Sequence, residues 1–183
     1  SPRRGQGWQC YPRQRQDDDA MKRTGLDATD IRILSAVQRH GPLSKTALAE
    51  LVNLSPTPCR ERLNRLKSAG VIRGYHAEIA IERVCDVTTV VVTVALTQHR
   101  RGDFERFETH ISARPEITEC IATGGGMDYV MKVFCRNLSA FQTLMEELLS
   151  AEIGIDRYMT YIATREVKSA PPDLAGLIGK GRG

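Results

Sequence analysis

The chain has 183 residues, 41% hydrophobic and 26% charged, with a formal net charge of +4 at pH 7. That balance supports a folded core, excludes disorder throughout, and fits two small domains. The run Val90-Val91-Val92 is flanked by Thr88, Thr89 and Thr93, far short of the ~20 apolar residues of a transmembrane helix, and no secretory signal is apparent. Cys10, Cys59, Cys85, Cys120 and Cys135 form no CxxC pair and have no histidine at zinc spacing. No metal site, cofactor or disulfide framework is therefore expected; the thiols read as reduced and the location as cytoplasmic.

Residues 1–25 carry Gly, Gln, Pro, arginines and the Asp17-Asp18-Asp19 run without apolar periodicity, and are expected to be a disordered tail or tag. Met21 marks where a native start would fall. Order begins at Asp27, which suits a helix cap, with Asp30 in the first turn and Ile31, Ile33, Leu34 and Val37 forming the apolar stripe up to Gly41-Pro42. Ser44 caps a second helix, Lys45 to Asn53, with Leu48 and Leu51 inward. Ser55-Pro56 starts a third, which runs to about Ala69 and stops at Gly70. Val71 to Ile79 reads as two short strands turning near Gly74, a wing against the three helices. This sets a head of three helices and a wing at 26–79 and a linker at 80–87.

From Thr88 the period becomes two: Val90, Val92, Val94 and Leu96 share one face of a strand. Asp103 caps a helix bearing Phe104, Phe107 and Ile111, and Arg114-Pro115 ends it. Strands follow at Ile117–Thr123 and Tyr129–Cys135, then a helix capped by Asn137 with Phe141, Met145 and Leu148 inward, then a strand over about Ile155–Val167. The order βαββαβ over 88–168 predicts a ferredoxin-like domain, so the fold class is α+β. Residues 169–183 are expected to be a tail.

Charge is not spread evenly. Between Arg39 and His76 the chain has an excess of five positive charges. On the third helix Cys59, Leu63 and Leu66 form the buried stripe, leaving Thr57, Glu61, Asn64, Arg65 and Ser68 opposite, with Arg60 at the edge. Arginine suits guanine, asparagine adenine and the threonine methyl thymine, so this face has chemistry for reading bases. Lys45, Ser55, Arg62, Lys67 and Arg73 around it are candidate DNA-backbone contacts. On this reading Arg65→Ala weakens binding to a preferred site more than to random DNA. A mixed polar face also serves merely to solvate a helix.

The run Leu54-Ser55-Pro56-Thr57-Pro58-Cys59-Arg60-Glu61-Arg62-Leu63, continuing to Gly70-Val71-Ile72 and Gly74-Tyr75, closely resembles the leucine-responsive regulator/AsnC (Lrp/AsnC) family of bacterial transcription factors. Leu26-Asp27-Ala28-Thr29-Asp30-Ile31-Arg32-Ile33-Leu34 resembles its opening helix. Gly125, Asp128 and Tyr129 match its Gly-x-x-Asp-Tyr turn, and Met159-Thr160-Tyr161 with Arg165-Glu166-Val167-Lys168 its last strand. The resemblance implies a winged helix-turn-helix head and a RAM/ACT-like ferredoxin domain. It further implies a homodimer assembled into tetramers or octamers, and control of transcription by an amino acid or related metabolite. The implied effector residues are Gly124, Gly125, Gly126, Met127, Asp128, Tyr129 and Thr160. Glycine N–H groups suit a carboxylate and an aspartate suits an amino group, although the same residues also make a plain hairpin turn. Gly126 and Met127 depart from the commoner larger or charged residues of the family. The third-helix wording resembles regulators beside ectoine-degradation genes, which implies a diamino acid derivative as effector.

An alternative is an amino-acid-binding protein or enzyme with an accessory winged-helix module, since fold does not fix function. No enzyme is expected: His40, His76, His99 and His110 have no nucleophile partner, and no P-loop or GxSxG motif occurs. A thiol or metal sensor is disfavoured because Cys59, Cys120 and Cys135 read as small core residues. The basic helix would also serve RNA or a protein partner, which a two-half-site footprint on DNA distinguishes.

Overall fold

The computed structural model describes residues 25–179. Of the tail or tag expected at 1–25, residues 1–24, with Cys10 and Met21, lie outside them, as do residues 180–183. The described chain forms two compact units, one from Ala80–Val167 and the other from residues 25–79 with 168–179.

The helical unit follows its local signals. Helix α1 (Ala28–His40) opens with a capping box: the Asp30 N–H donates to Asp27 at 2.8 Å and the Asp27 N–H donates back to Asp30 at 3.2 Å. It closes at Gly41, whose φ of 72° favours glycine. Ser44 accepts from the Ala47 N–H to cap α2 (Lys45–Val52), and left-handed Asn53 ends it. Helix α3 (Pro56–Ser68) begins with proline in its first turn, but Ser55 makes no side-chain capping bond. Ile33, Leu34, Val37, Leu48, Ala49, Val52, Cys59 and Leu66 are the buried core of the three helices, each large one contributing about 1.5–3 kcal/mol.

The expected wing strands are absent among the described residues: Val71–Ile79 joins no ladder. The Val71 and Ile72 N–H groups both donate to the Leu66 carbonyl, which closes the end of α3, while Val71, Ile72 and Tyr75 pack on the helical core. Those donors are thus spent on the helix terminus and not on a strand partner. Residues 81–83 of the expected linker form a 3-10 turn. Past residue 168, where a tail is expected, α6 (Leu174–Gly179) forms and Leu174 packs against the helical core.

The second unit has the βαββαβ order: β1 (Thr88–Leu96), α4 (Arg101–Ser112), β2 (Ile117–Ala122), β3 (Tyr129–Cys135), α5 (Leu138–Ser150) and β4 (Ile155–Ile162). The sheet is antiparallel in the order β2-β3-β1-β4. Val90, Val92, Val94, Tyr129, Met131 and Val133 pack with Phe107, Ile111, Phe141, Leu144, Met145 and Leu148 of the two helices. Asp103 is not the cap of α4. The helix starts one turn earlier, and the Asp103 carboxylate accepts from the Arg100 N–H at its N-terminus. β4 stops at Ile162, opposite Val90, and Ala163 makes one last bond to the Thr89 carbonyl.

Among the described residues of this unit, no helix covers the other sheet face. Cross-strand partners place Ile121, Val130, Thr93 and Met159 in one row, and Glu119, Lys132, Val91 and Tyr161 in the next. Ile121, Met159 and Tyr161 are each about half exposed on it.

Candidate functional site

Burying Cys59 and Leu66 fixes the roll of α3 on the head, since both are 1% exposed. At ~100° per residue the same roll turns Thr57, Arg60, Glu61, Asn64, Lys67 and Ser68 outward, and all six are exposed. Lys45 opens α2 and Arg73 follows α3, both exposed, as is Ser55. Lys67 stands 5.4 Å over the Tyr75 ring, a cation–π contact that keeps its charge beside α3.

Arg62 and Arg65 are held differently from their neighbours. Arg65 Nη2 donates to Asp30 Oδ2 at 2.6 Å, and Arg62 Nη1 donates to Asp30 Oδ1 at 3.0 Å and to Asp27 Oδ2 at 2.5 Å. Asp30 is fully buried. Burial pushes its carboxyl up, but hydrogen bonds from Arg65, the Asp27 N–H and Arg62 outweigh that and hold it below the ordinary 3.8. Asp27 is lowered too, first by the Asp30 N–H and then by Arg62. Arg65, expected to read bases, thus already gives one of its nitrogens to a buried carboxylate. Periodicity places a side chain on a face but does not reveal a partner 35 residues upstream.

The turn between β2 and β3 folds over the end of β1. The Thr123 N–H donates to the Asp128 carbonyl, the Thr123 hydroxyl to the Met127 carbonyl at 2.6 Å, and the Asp128 N–H to the Val94 carbonyl. The Asp128 carboxylate accepts from the Leu96 N–H at 2.7 Å and lies 3.1 Å from His99 Nε2. Gly124, Gly125 and Gly126 are exposed and Met127 is half-buried. Gly125 has a φ of 121°, which favours glycine. Arg157 of β4 donates to the Gly126 carbonyl at 3.1 Å.

Two expected effector contacts are placed elsewhere. Tyr129 is 2% exposed, stacks 4.5 Å from Phe107 and donates its hydroxyl to Glu108 at 2.8 Å, so it supports the turn from within the core. Thr160 pairs with Val92 in the middle of β4 and faces the opposite side of that strand from Arg157. The structure thus gathers Gly124–Asp128 with His99 and Arg157, two residues that no local motif singled out.

Three thiols, those of Cys59, Cys120 and Cys135, offer little nucleophilic character. Cys59 and Cys135 are buried and their thiols are raised by burial, with Glu116 adding to the shift at Cys135. Cys120 is exposed on the edge strand β2, not in the core as expected, because edge position uncovers it. Desolvation at its sulfur and the Glu108 charge still push its thiol up to about 11, which leaves little thiolate at neutral pH. Among the described residues no cluster of three metal-ligating side chains occurs, and no helix is long and apolar enough to cross a membrane.

Comparison with known proteins gives this geometry its context. Residues 26–73 match the winged helix-turn-helix DNA-binding description, and residues 89–173 the Lrp/AsnC ligand binding domain. The chain is 43% identical over 143 residues to the transcriptional regulatory protein DoeX of Halomonas elongata, spanning 78% of this chain and 90% of that one. It is 36% identical over 154 residues to the leucine-responsive regulatory protein of Escherichia coli, spanning 83% and 94%. Among solved structures, a transcriptional regulator of Neisseria meningitidis in complex with L-Met aligns with a TM-score of 0.72 and 31% identity, covering 79% of this chain and 94% of that one. The chain belongs to the Lrp/AsnC family of DNA-binding transcriptional regulators.

Proposed function

We propose that this regulator reads duplex DNA through the outward face of α3 and that a small molecule bound at the Gly124–Asp128 turn adjusts that reading. The observation carrying it is the exposure of Thr57, Arg60, Glu61, Asn64 and Ser68 on one face. These are the side chains a major groove accommodates. Lys45, Ser55, Lys67 and Arg73 flank them as phosphate contacts. The chain acts in the cytoplasm and by binding alone, without catalysis or cofactor.

The effector is an amino acid or a related metabolite. Exposed Gly124, Gly125 and Gly126 allow close approach of a carboxylate, Arg157 stands beside them, and Asp128 retains acceptor capacity for an ammonium group. The resemblance of α3 to regulators beside ectoine-degradation genes favours a diamino acid derivative. Two copies pack through the helix-free sheet face, whose Ile121, Met159 and Tyr161 stay half exposed in one chain, and higher assembly to tetramers or octamers follows. The domain limits are 26–79, 80–87 and 88–168.

The test is titration of the protein onto DNA from beside its own gene at two salt concentrations, with a panel of amino acids and ectoine-related metabolites. Specific binding shifted by one compound is the expected result; no preference over random DNA refutes it. Sedimentation of Met159→Glu and Tyr161→Glu variants tests the dimer face, since a charge there disfavours pairing.

A further inference from the structure

We infer that Asp30 is a positioning residue for DNA binding, acting through Arg65 to present a pre-oriented guanidinium at the rim of the α3 face as a phosphate clamp. This rests on the DNA-binding reading of α3. Asp30 sits on α1, is fully buried, and cannot touch DNA itself. A buried carboxylate is costly unless paired, and apolar residues of similar volume stabilise such a site as well or better. Besides accepting the capping bond from the Asp27 N–H, Asp30 turns each of its oxygens to one arginine of α3.

The two arginines differ in what they have left to offer. Arg62 is one-third exposed and bridges two carboxylates through Nη1, so it serves mainly as the strut between α1 and α3. Arg65 is 57% exposed and spends only Nη2 on Asp30. A guanidinium carries five N–H donors in one rigid plane. Pinning one corner to a buried group fixes that plane and leaves over the other N–H donors of a side chain that is more than half exposed. The side-chain ordering that DNA binding would otherwise require is then largely completed on folding. Arg65 lies at the edge of the exposed face beyond Glu61, where the helix flank meets backbone and not base edges.

The experiment is fluorescence anisotropy of the full chain on its preferred duplex and on a random duplex, across a salt series. The proteins are wild type, Arg65→Ala, Asp30→Asn, the double variant and Arg65→Lys, with helix content recorded by circular dichroism at the binding temperature. Arg65→Ala and Asp30→Asn are each expected to weaken both duplexes by about tenfold and to lower the salt slope by about 1. The double variant binds no more weakly than Arg65→Ala. Arg65→Lys, a surface change that spares the fold, also binds like Arg65→Ala, because its single ammonium stays on Asp30 and has no second edge to offer. Wild-type binding by Arg65→Lys overturns the positioning role, as does an Asp30→Asn loss that is undiminished in the Arg65→Ala background. Wild-type protein that binds neither duplex overturns the DNA-binding reading itself; binding that ignores Arg65→Ala overturns only the clamp.

Discussion

Replacing Asp128 separates two roles that the turn residue could have. Its carboxylate accepts from the Leu96 N–H at 2.7 Å and from His99 at 3.1 Å, and its side chain is 19% exposed. In Asp128→Ala the Leu96 N–H, on a residue that is 3% exposed, loses a charged acceptor, a loss of about 1.5–3 kcal/mol. His99 is 60% exposed, so its pairing adds at most about 0.5 kcal/mol. The sum, about 1.5–3.5 kcal/mol, lowers the melting temperature of a unit this size by roughly 10–20 °C. Asp128→Asn keeps a carbonyl oxygen for Leu96 and recovers most of that loss. Thermal denaturation followed by circular dichroism, with effector titration on the same samples, decides the matter. A melting temperature unchanged in Asp128→Ala together with an abolished effector response would show that the carboxylate serves the ligand and not the strand end.

Four further outcomes are expected. Gly125→Ala destabilises the sheet unit by about 1–3 kcal/mol because of its φ of 121°, whereas Gly124→Ala and Gly126→Ala meet no atom within 4 Å and are tolerated; chemical denaturation of the three variants checks this. Leu66→Ala removes a core side chain that is 1% exposed and costs about 2–5 kcal/mol, enough to melt the small head before the sheet unit in hydrogen exchange. Because Asp27 and Asp30 have folded-state values below 3.8, their contribution to stability is complete above that value and is lost as pH falls through the lower folded values. Denaturation of the wild type should therefore weaken most steeply below about pH 4, and less steeply in Asp30→Asn. Iodoacetamide at neutral pH should modify Cys120 slowly despite its exposure, since its thiol is pushed up to about 11; rapid labelling at this position, read by mass spectrometry, would contradict the assigned desolvation.

What the sequence revealed was whatever is encoded locally. The Asp27, Ser44 and Asn137 caps, the Gly41 and Gly70 stops and the period-two run from Val90 to Leu96 each depend on residues within one turn or one strand, and each is found in the structure. The failures are non-local. Val71–Ile79 has strand-like residues, but the Leu66 carbonyl captures its first two N–H groups. Val167 lies in a stretch that reads as a continuation of β4, but the ladder with β1 ends at Ile162. Cys120 alternates correctly for burial, yet the strand order puts β2 at an edge.

The same distinction explains why several expected site residues turn out to have partners within the chain. Arginine, aspartate and tyrosine suggest a site because their side chains suit phosphate, ammonium or an aromatic contact, but those properties suit neighbours in the chain equally well. Arg65 meets Asp30, Asp128 meets the Leu96 N–H, and Tyr129 meets Glu108. In each case the partner lies 21 to 35 residues away. Such residues reach a ligand only with whatever donors the internal partner leaves over, as Arg65 does and as buried Tyr129 does not. Conversely, Thr57, Arg60, Asn64 and Ser68 are exposed on α3, and their effect on specificity should exceed their effect on stability. If Asn64→Ala shifts the melting temperature of the head more than it shifts the ratio of specific to random binding, that division of labour is wrong.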